Sequence, residues 1–214
     1  MKIKAGIVGA AGFAGAELTR LLLRHPSFEL CAITSDALAG RALAEVYPAF
    51  AGASDLVFSK HDKSVLADLD VAFLAVPHTA SLAMTPELIA AGTTVIDLSA
   101  DYRLKDPAIY EKWYKVAHTS TDLLAKAAFG LPELTGDELA SAAVRRAAGE
   151  AVLVACAGCY PTATSLAAAP FLRAGLVEEG ATVIVDALSG ITGAGKKATE
   201  RTHFCFANES VEAY

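Results

Sequence analysis

A cysteine set where a strand gives way to a helix is the residue in this chain whose type and surroundings most directly allow chemistry. The stretch Ala155-Cys156-Ala157-Gly158-Cys159-Tyr160-Pro161-Thr162-Ala163 follows an apolar, strand-like run, Ala151-Val152-Leu153-Val154, and opens a run of helix formers from Ala163 to Arg173. Pro161 sits at a favoured early helical position, so Cys159 falls at a helix N-terminus. There the unpaired backbone N–H groups and the helix dipole favour an anion, and the thiolate is the reactive form of cysteine. Gly158 lets a backbone or a substrate approach closely, and Pro161 sharpens the turn out of the strand. Two other readings stay open at this point. Cys159 can be a small apolar residue like most free cysteines. Alternatively, Cys156-x-x-Cys159 can be a dithiol pair or, with His203 and Cys205, a zinc site.

A second chemical element lies at the other end of the chain. Gly9-Ala10-Ala11-Gly12-Phe13-Ala14-Gly15 stands between the strand-like Lys4 to Val8 and an amphipathic helix from Ala16 to Arg24. Glycines there make a tight turn and let a pyrophosphate approach the backbone at a helix N-terminus. The spacing is G-x-x-G-x-x-G, a variant of the common dinucleotide fingerprint. The next strand, Leu30 to Thr34, ends at Ser35-Asp36, where a domain of this kind meets the adenosine ribose. Asp36 would favour NAD, whereas Thr34, Ser35 and Arg41 suit a 2′-phosphate, and the balance leans to NADP. An ordinary polar loop is the competing account of these residues.

These residues need a scaffold, and the chain supplies one. Strands are predicted at Asp55 to Ser59, Val71 to Val76 and Thr94 to Leu98, with helices at about 62–68, 79–91 and 136–148. Strands alternating with helices imply parallel βαβ units, and near-continuous apolar runs such as Val71 to Val76 fit strands buried on both faces. The fold class expected is therefore α/β, a doubly wound Rossmann-type parallel sheet over residues 1–150, followed by an incomplete α+β substrate domain over 151–214. Pro77-His78-Thr79 would lie at a strand's carboxyl end, so His78 can donate to a cofactor or substrate oxygen, or cap a helix. Residues 100–135 read as a long irregular loop in which Arg103 can grip a carboxylate or phosphate, or make a surface pair. After a predicted strand from Ala181 to Leu188 comes Ser189-Gly190-Ile191-Thr192-Gly193-Ala194-Gly195-Lys196-Lys197. Its N–H groups and lysines can face an anion, if it is more than a surface turn.

Bulk properties bound the rest. The 214 residues are 54% hydrophobic, enough for a sizeable core, and the formal net charge of −6 argues against nucleic-acid or anionic-membrane partners. No apolar run reaches membrane-spanning length and the first residues do not read as a signal peptide, so a soluble cytoplasmic protein is expected. The 4 cysteines suggest free thiols in a reducing compartment.

The motifs, taken together and in order, resemble the N-acetyl-gamma-glutamyl-phosphate reductase family of the aspartate-semialdehyde dehydrogenase-like group. The matching stretches are Gly6 to Leu18, Ala75-Val76-Pro77-His78, Asp97 to Arg103, Phe129 to Leu134, Gly158-Cys159-Tyr160-Pro161-Thr162-Ala163 and Ser189 to Gly195. The resemblance implies NADPH-dependent reduction of an acyl phosphate to an aldehyde in arginine biosynthesis, with Cys159 as the nucleophile that forms a thioester. It implies that Arg103 and Ser189 hold the substrate, with His78 beside them, and that the cofactor rests on Gly9, Ala11, Gly12, Phe13, Ala14, Gly15, Gly190, Gly193, Ala194 and Gly195. No metal is implied. Aspartyl or N-acetyl-aminoadipyl phosphate are the alternative substrates, and a non-catalytic NADP-binding or assembly module is the alternative role. The chain departs from the family pattern at Cys156-Ala157, where Asn-Pro is usual. Family members are also longer, with a catalytic histidine in a His-Arg-His-like segment that neither His118 nor His203 matches, so a truncated second domain is expected, and a homo-oligomer at full length.

Overall fold

The computed structural model describes residues 1–213. Its elements run β1 (Ile3–Val8), α1 (Phe13–Leu23), β2 (Phe28–Thr34), α2 (Leu43–Val46), β3 (Phe58–Ser59), α3 (Lys63–Leu66), β4 (Val71–Leu74) and α4 (Ala80–Ala90). They continue with β5 (Thr94–Asp97), α5 (Pro107–Tyr114), α6 (Thr121–Lys126), β6 (Ala128–Gly130), α7 (Pro132–Ala147), β7 (Leu153–Cys156), α8 (Cys159–Arg173) and α9 (Phe204–Ala207).

The seven strands form one sheet in the order β3-β2-β1-β4-β5-β7-β6, and every pairing in it is parallel. Parallel sheets are covered by helices on both faces, and the strand residues show it. Ile7 packs with Ile33, Leu43 and Phe58 on one face, while its neighbour Val8 packs with Leu74, Val95 and Tyr102 on the other. The alternation repeats in β4, where Ala72 and Leu74 belong to the second cluster and Phe73 to the first. In α1 the buried residues Gly15, Thr19 and Leu22 recur at helical spacing and present one stripe to the sheet.

The doubly wound α/β expectation is met. The loop expected over 100–135 instead contains α5, α6 and β6, and the last of these forms the edge of the sheet beside β7. The strand expected from Ala181 to Leu188 does not form. A strand exists only through ladder bonds to a neighbour, and this stretch has none among the described residues. Its Val183, Ile184 and Leu188 stay exposed, as do Leu172, Leu176, Phe204 and Phe206.

Candidate active site

Because all the strands are parallel, the residues that follow β1, β4, β5 and β7 gather along one edge of the sheet, the edge where open α/β folds bind ligands. The glycine loop follows β1. Gly9 has φ +85°, and a Cβ on it would come within 2.4 Å of the Ala75 carbonyl oxygen, so the turn packs directly on the end of β4. Gly15 packs α1 against the loop, since a Cβ there would lie 2.5 Å from the Ala10 Cα. Gly12 is different: its nearest such neighbour is 3.9 Å away, so the protein's own packing does not demand a glycine. Gly12 also N-caps α1 with no side chain bonded to the helix end. A bare helix N-terminus reached over an unobstructed glycine suits a pyrophosphate, with Phe13, Ala14 and Gly15 supplying the first helical N–H groups.

Around this loop, Tyr47 and His61 went unnoticed in the sequence, and Lys196, read there as a lysine able to face an anion, meets an unforeseen partner. The Tyr47 hydroxyl donates to the Ala11 carbonyl at 2.6 Å. The Lys196 Nζ donates to the same hydroxyl at 3.2 Å and lies 4.3 Å from the centre of the Tyr47 ring, bringing the second glycine-rich stretch to the first. At the end of β2, His61 Nδ1 meets the buried Thr34 hydroxyl at 2.6 Å, and the His61 N–H donates to Asp36 Oδ1 at 2.9 Å. Thr34 is thus turned to His61, Ser35 is nearly buried with its N–H donating to Ser59, and Arg41 lies exposed, 3.6 Å from Glu45. Contacts across 27, 36 and 149 residues leave no local signal in the sequence.

After β4, the Ala100 N–H donates to His78 Nδ1 at 3.2 Å, which leaves the proton of a neutral ring on Nε2. The next residue, Thr79, takes a left-handed φ of 73°, and its N–H donates to Asp101 Oδ1 at 2.8 Å. Tyr110 donates to the same oxygen, and burial together with this bond holds its phenol well above its usual range. Asp97, at the end of β5, is fully buried; burial pushes its carboxyl up, against the lowering effect of donors from Ser99 and Ser81.

After β7 comes the cysteine turn. Gly158 N-caps α8 without a side-chain bond, and Cys159 is the first helical residue, exposed and unbonded to any other cysteine. It lines a cavity of about 580 Å³ with Tyr160, Thr164, Leu188, Ser189 and Gly193, and an adjoining one of about 700 Å³. Gly193 is seated on Ser189, whose Oγ a Cβ would approach to 2.7 Å. Gly190 also lines both cavities, Ala194 only the second, and Gly195 turns the chain at φ +87°. Cys156 differs sharply from Cys159: burial, then Asp97, pushes its thiol up to about 11, although Arg103 pulls the other way. Arg103 points at the turn, donating from Nε to the Cys156 carbonyl at 2.7 Å and from Nη2 to the Leu98 carbonyl at 2.6 Å. Among the described residues no three His, Cys, Asp or Glu side chains gather as a metal site, and no helix is long and apolar enough to cross a membrane.

Known proteins divide along the same lines. The family described as semialdehyde dehydrogenase, NAD binding domain, matches residues 4–142. The chain belongs to the semialdehyde dehydrogenase family. That family's dimerisation domain matches residues 159–214. Among similar proteins, the N-acetyl-gamma-glutamyl-phosphate reductase of Janthinobacterium sp. (strain Marseille) is 46% identical over 99% of this chain and 59% of its own length. That of Saccharophagus degradans is 45% identical over 99% of this chain and 58% of its own. The chain therefore spans under three-fifths of the curated relatives it matches. Among solved structures, the aspartate semialdehyde dehydrogenase of Candida albicans, determined with NADP, superposes with a TM-score of 0.61 at 17% identity, covering 81% of this chain and 48% of that one. The Vibrio cholerae enzyme gives 0.59 at 16%, over 81% and 47%. At those identities the likeness establishes the semialdehyde dehydrogenase fold.

Proposed function

We propose that this protein reduces N-acetyl-glutamyl 5-phosphate to its 5-semialdehyde with NADPH, by way of a thioester on Cys159. The observation that carries the reading is the exposed Cys159 at the uncapped start of α8, opening into a cavity on the same sheet edge as the glycine loop. The names of the most similar relatives supply the substrate.

In the first step the Cys159 sulfur attacks the acyl carbon, forming a C–S bond as the C–O bond to phosphate breaks and inorganic phosphate leaves. NADPH, when bound, supplies the hydride that reduces the thioester carbonyl and is itself oxidised; the C–S bond then breaks, returning the thiolate and releasing the aldehyde. Covalent catalysis of this kind divides one difficult displacement into two easier ones. The helix N-terminus favours negative charge on sulfur in both steps. His78, whose Nδ1 accepts from the Ala100 N–H, and Ser189, on the cavity wall, are the residues of this chain that would orient the acyl group.

Gly9 to Gly15 would hold the pyrophosphate, and the stretch from Gly190 to Gly195 the nicotinamide end. NADP is preferred over NAD in this reading, because Asp36 Oδ1 already accepts from the His61 N–H, while the exposed Arg41 guanidinium suits a 2′-phosphate. The exposed apolar side chains from Leu172 to Phe206, together with the match to a dimerisation domain, support a homo-oligomer. The cytoplasm is the proposed compartment, and the boundary near residue 150 the proposed division between cofactor and substrate domains.

The test is the reverse reaction, with N-acetyl-glutamate semialdehyde, phosphate and NADP, read as NADPH absorbance. Turnover by the parent, lost in Cys159→Ser, is the expected result. NADP binding with no turnover would instead favour a cofactor-binding module, and turnover kept by Cys159→Ser would remove the nucleophile from the mechanism.

A further inference from the structure

We infer, building on the proposed use of NADPH, that His61 is a specificity-determining residue that adapts the corner after β2 to the cofactor's 2′-phosphate by engaging the Asp36 carboxylate. β2 and β3 pair in parallel up to Thr34 and Ser59, and the Ser35 N–H still donates to the Ser59 carbonyl at 2.8 Å. Asp36 and His61 are each the second residue beyond that last pair, so the two strands leave the sheet side by side and deliver them to one place. It is the place where a doubly wound domain meets the adenosine ribose, and a free carboxylate there takes a 2′-hydroxyl and repels a 2′-phosphate.

Asp36 is not free. The His61 N–H donates to its Oδ1 at 2.9 Å, and the His61 ring brings Nε2 to 3.9 Å from Oδ2, so one residue addresses both carboxylate oxygens. The ring is fixed at its other end, where Nδ1 meets the Thr34 hydroxyl at 2.6 Å. Thr34 is fully buried and gives the ring a rigid anchor, whereas the Asp36 side chain is 67% exposed and open to a ligand. A carboxylate facing Nε2 favours the ring proton there, and Nδ1 then accepts from the Thr34 hydroxyl. Held in this way, Asp36 has its lone pairs turned to His61 and its charge partly offset. Its hold on a ribose hydroxyl and its repulsion of a phosphate both weaken.

Calorimetric titration of the 214-residue chain with NADP and with NAD tests this in the parent, His61→Ala, Asp36→Asn and the double variant. The parent should bind NADP at least about tenfold more tightly than NAD, and His61→Ala should cut that preference about tenfold, NADP weakening while NAD holds or tightens. In the Asp36→Asn background the same substitution should alter the preference by less than about twofold, because the ring then has no carboxylate to engage. A His61 that only supports the fold would weaken both cofactors alike, and that result, or equal effects of His61→Ala with and without Asp36, would overturn the inference. A parent that favours NAD would defeat the NADPH reading and this inference with it, whereas a parent that favours NADP and keeps its preference in His61→Ala would defeat this inference alone. If His61→Ala loses its cooperative melt, His61→Phe decides by the same readings, since it keeps the bulk of a ring and lacks both nitrogens.

Discussion

Three glycines within seven residues do three different jobs, and substitution separates them. Gly9 turns the chain at a positive φ against the Ala75 carbonyl, Gly15 lets α1 close on Ala10, and a Cβ on Gly12 would meet only the Gly9 carbonyl oxygen, at 3.9 Å. Gly15→Ala forces a Cβ into backbone that has no room to move, so it should lower stability by about 1–3 kcal/mol, read as a shift in the chemical-denaturation midpoint. Gly12→Ala adds a Cβ in ordinary contact with the Gly9 carbonyl oxygen and exchanges one N-cap residue for a poorer one, so its stability should fall by no more than about 1 kcal/mol. Its side chain would project where the pyrophosphate is proposed to lie, and NADP affinity in a fluorescence titration should fall at least about tenfold. Equal losses of stability in both variants would mean that the loop's glycines serve folding alone. The cysteine and the glycine loop were both legible from residue types, since a strand, a turn and a helix in succession leave a local signature. The partners Tyr47 and His61, and the reach of Lys196 to Tyr47, were not, because these contacts join distant parts of the chain.

At the level of elements, the segment between β5 and α6 shows how buried polar groups brace a site. His118 is buried between the rings of Tyr102 and Tyr110; its Nε2 meets the Asp101 carbonyl at 2.9 Å and its Nδ1 accepts from the Ser120 N–H at 3.2 Å. Those two bonds describe a neutral ring with its proton on Nε2, and burial lowers its pKa, against a smaller opposing pull from Asp101. A histidine whose folded pKa lies below its unfolded value of about 6.5 contributes stability that is present above that value and lost as pH falls through the folded one. The melting temperature should therefore decline as pH is lowered below about 6.5, and His118→Gln, lacking the titrating group, should flatten that decline. Asp97 has the opposite sign: its raised pKa favours the fold at low pH and withdraws that support as pH rises through the folded value. Because its contribution grows as pH falls, a decline on acidification has the sign of His118 and not of Asp97. An unchanged slope in His118→Gln would refute the assignment. The sequence read this segment as a loop because β6 spans only Ala128–Gly130 and α5 and α6 are short, too brief for periodicity to declare itself. It erred the other way at Ala181 to Leu188, where an apolar run has the composition of a strand but no strand to pair with.

The whole molecule is uneven. Up to β7 the side chains close on two cores about the sheet, whereas α8 has no buried residue and the chain beyond it leaves Leu176, Ile184, Leu188, Phe204 and Val211 in water. Large apolar side chains exposed in such number along one stretch of the chain are costly and suit a surface that meets another. The match of this same stretch to a dimerisation domain makes a second copy the proposed partner. Sedimentation over a range of protein concentrations should then show reversible association, strengthened by salts that favour apolar burial. Ile184 and Leu188 are 82% and 89% exposed, so neither supports the fold of a single chain. Ile184→Lys with Leu188→Lys should shift the protein toward monomer while leaving the melting temperature of the dilute chain within a few degrees. Because Leu188 also lines the Cys159 cavity, association and cavity shape are linked, and the double variant should bind NADP at the glycine loop as the parent does. Parental association in that variant would place the interface elsewhere on the molecule.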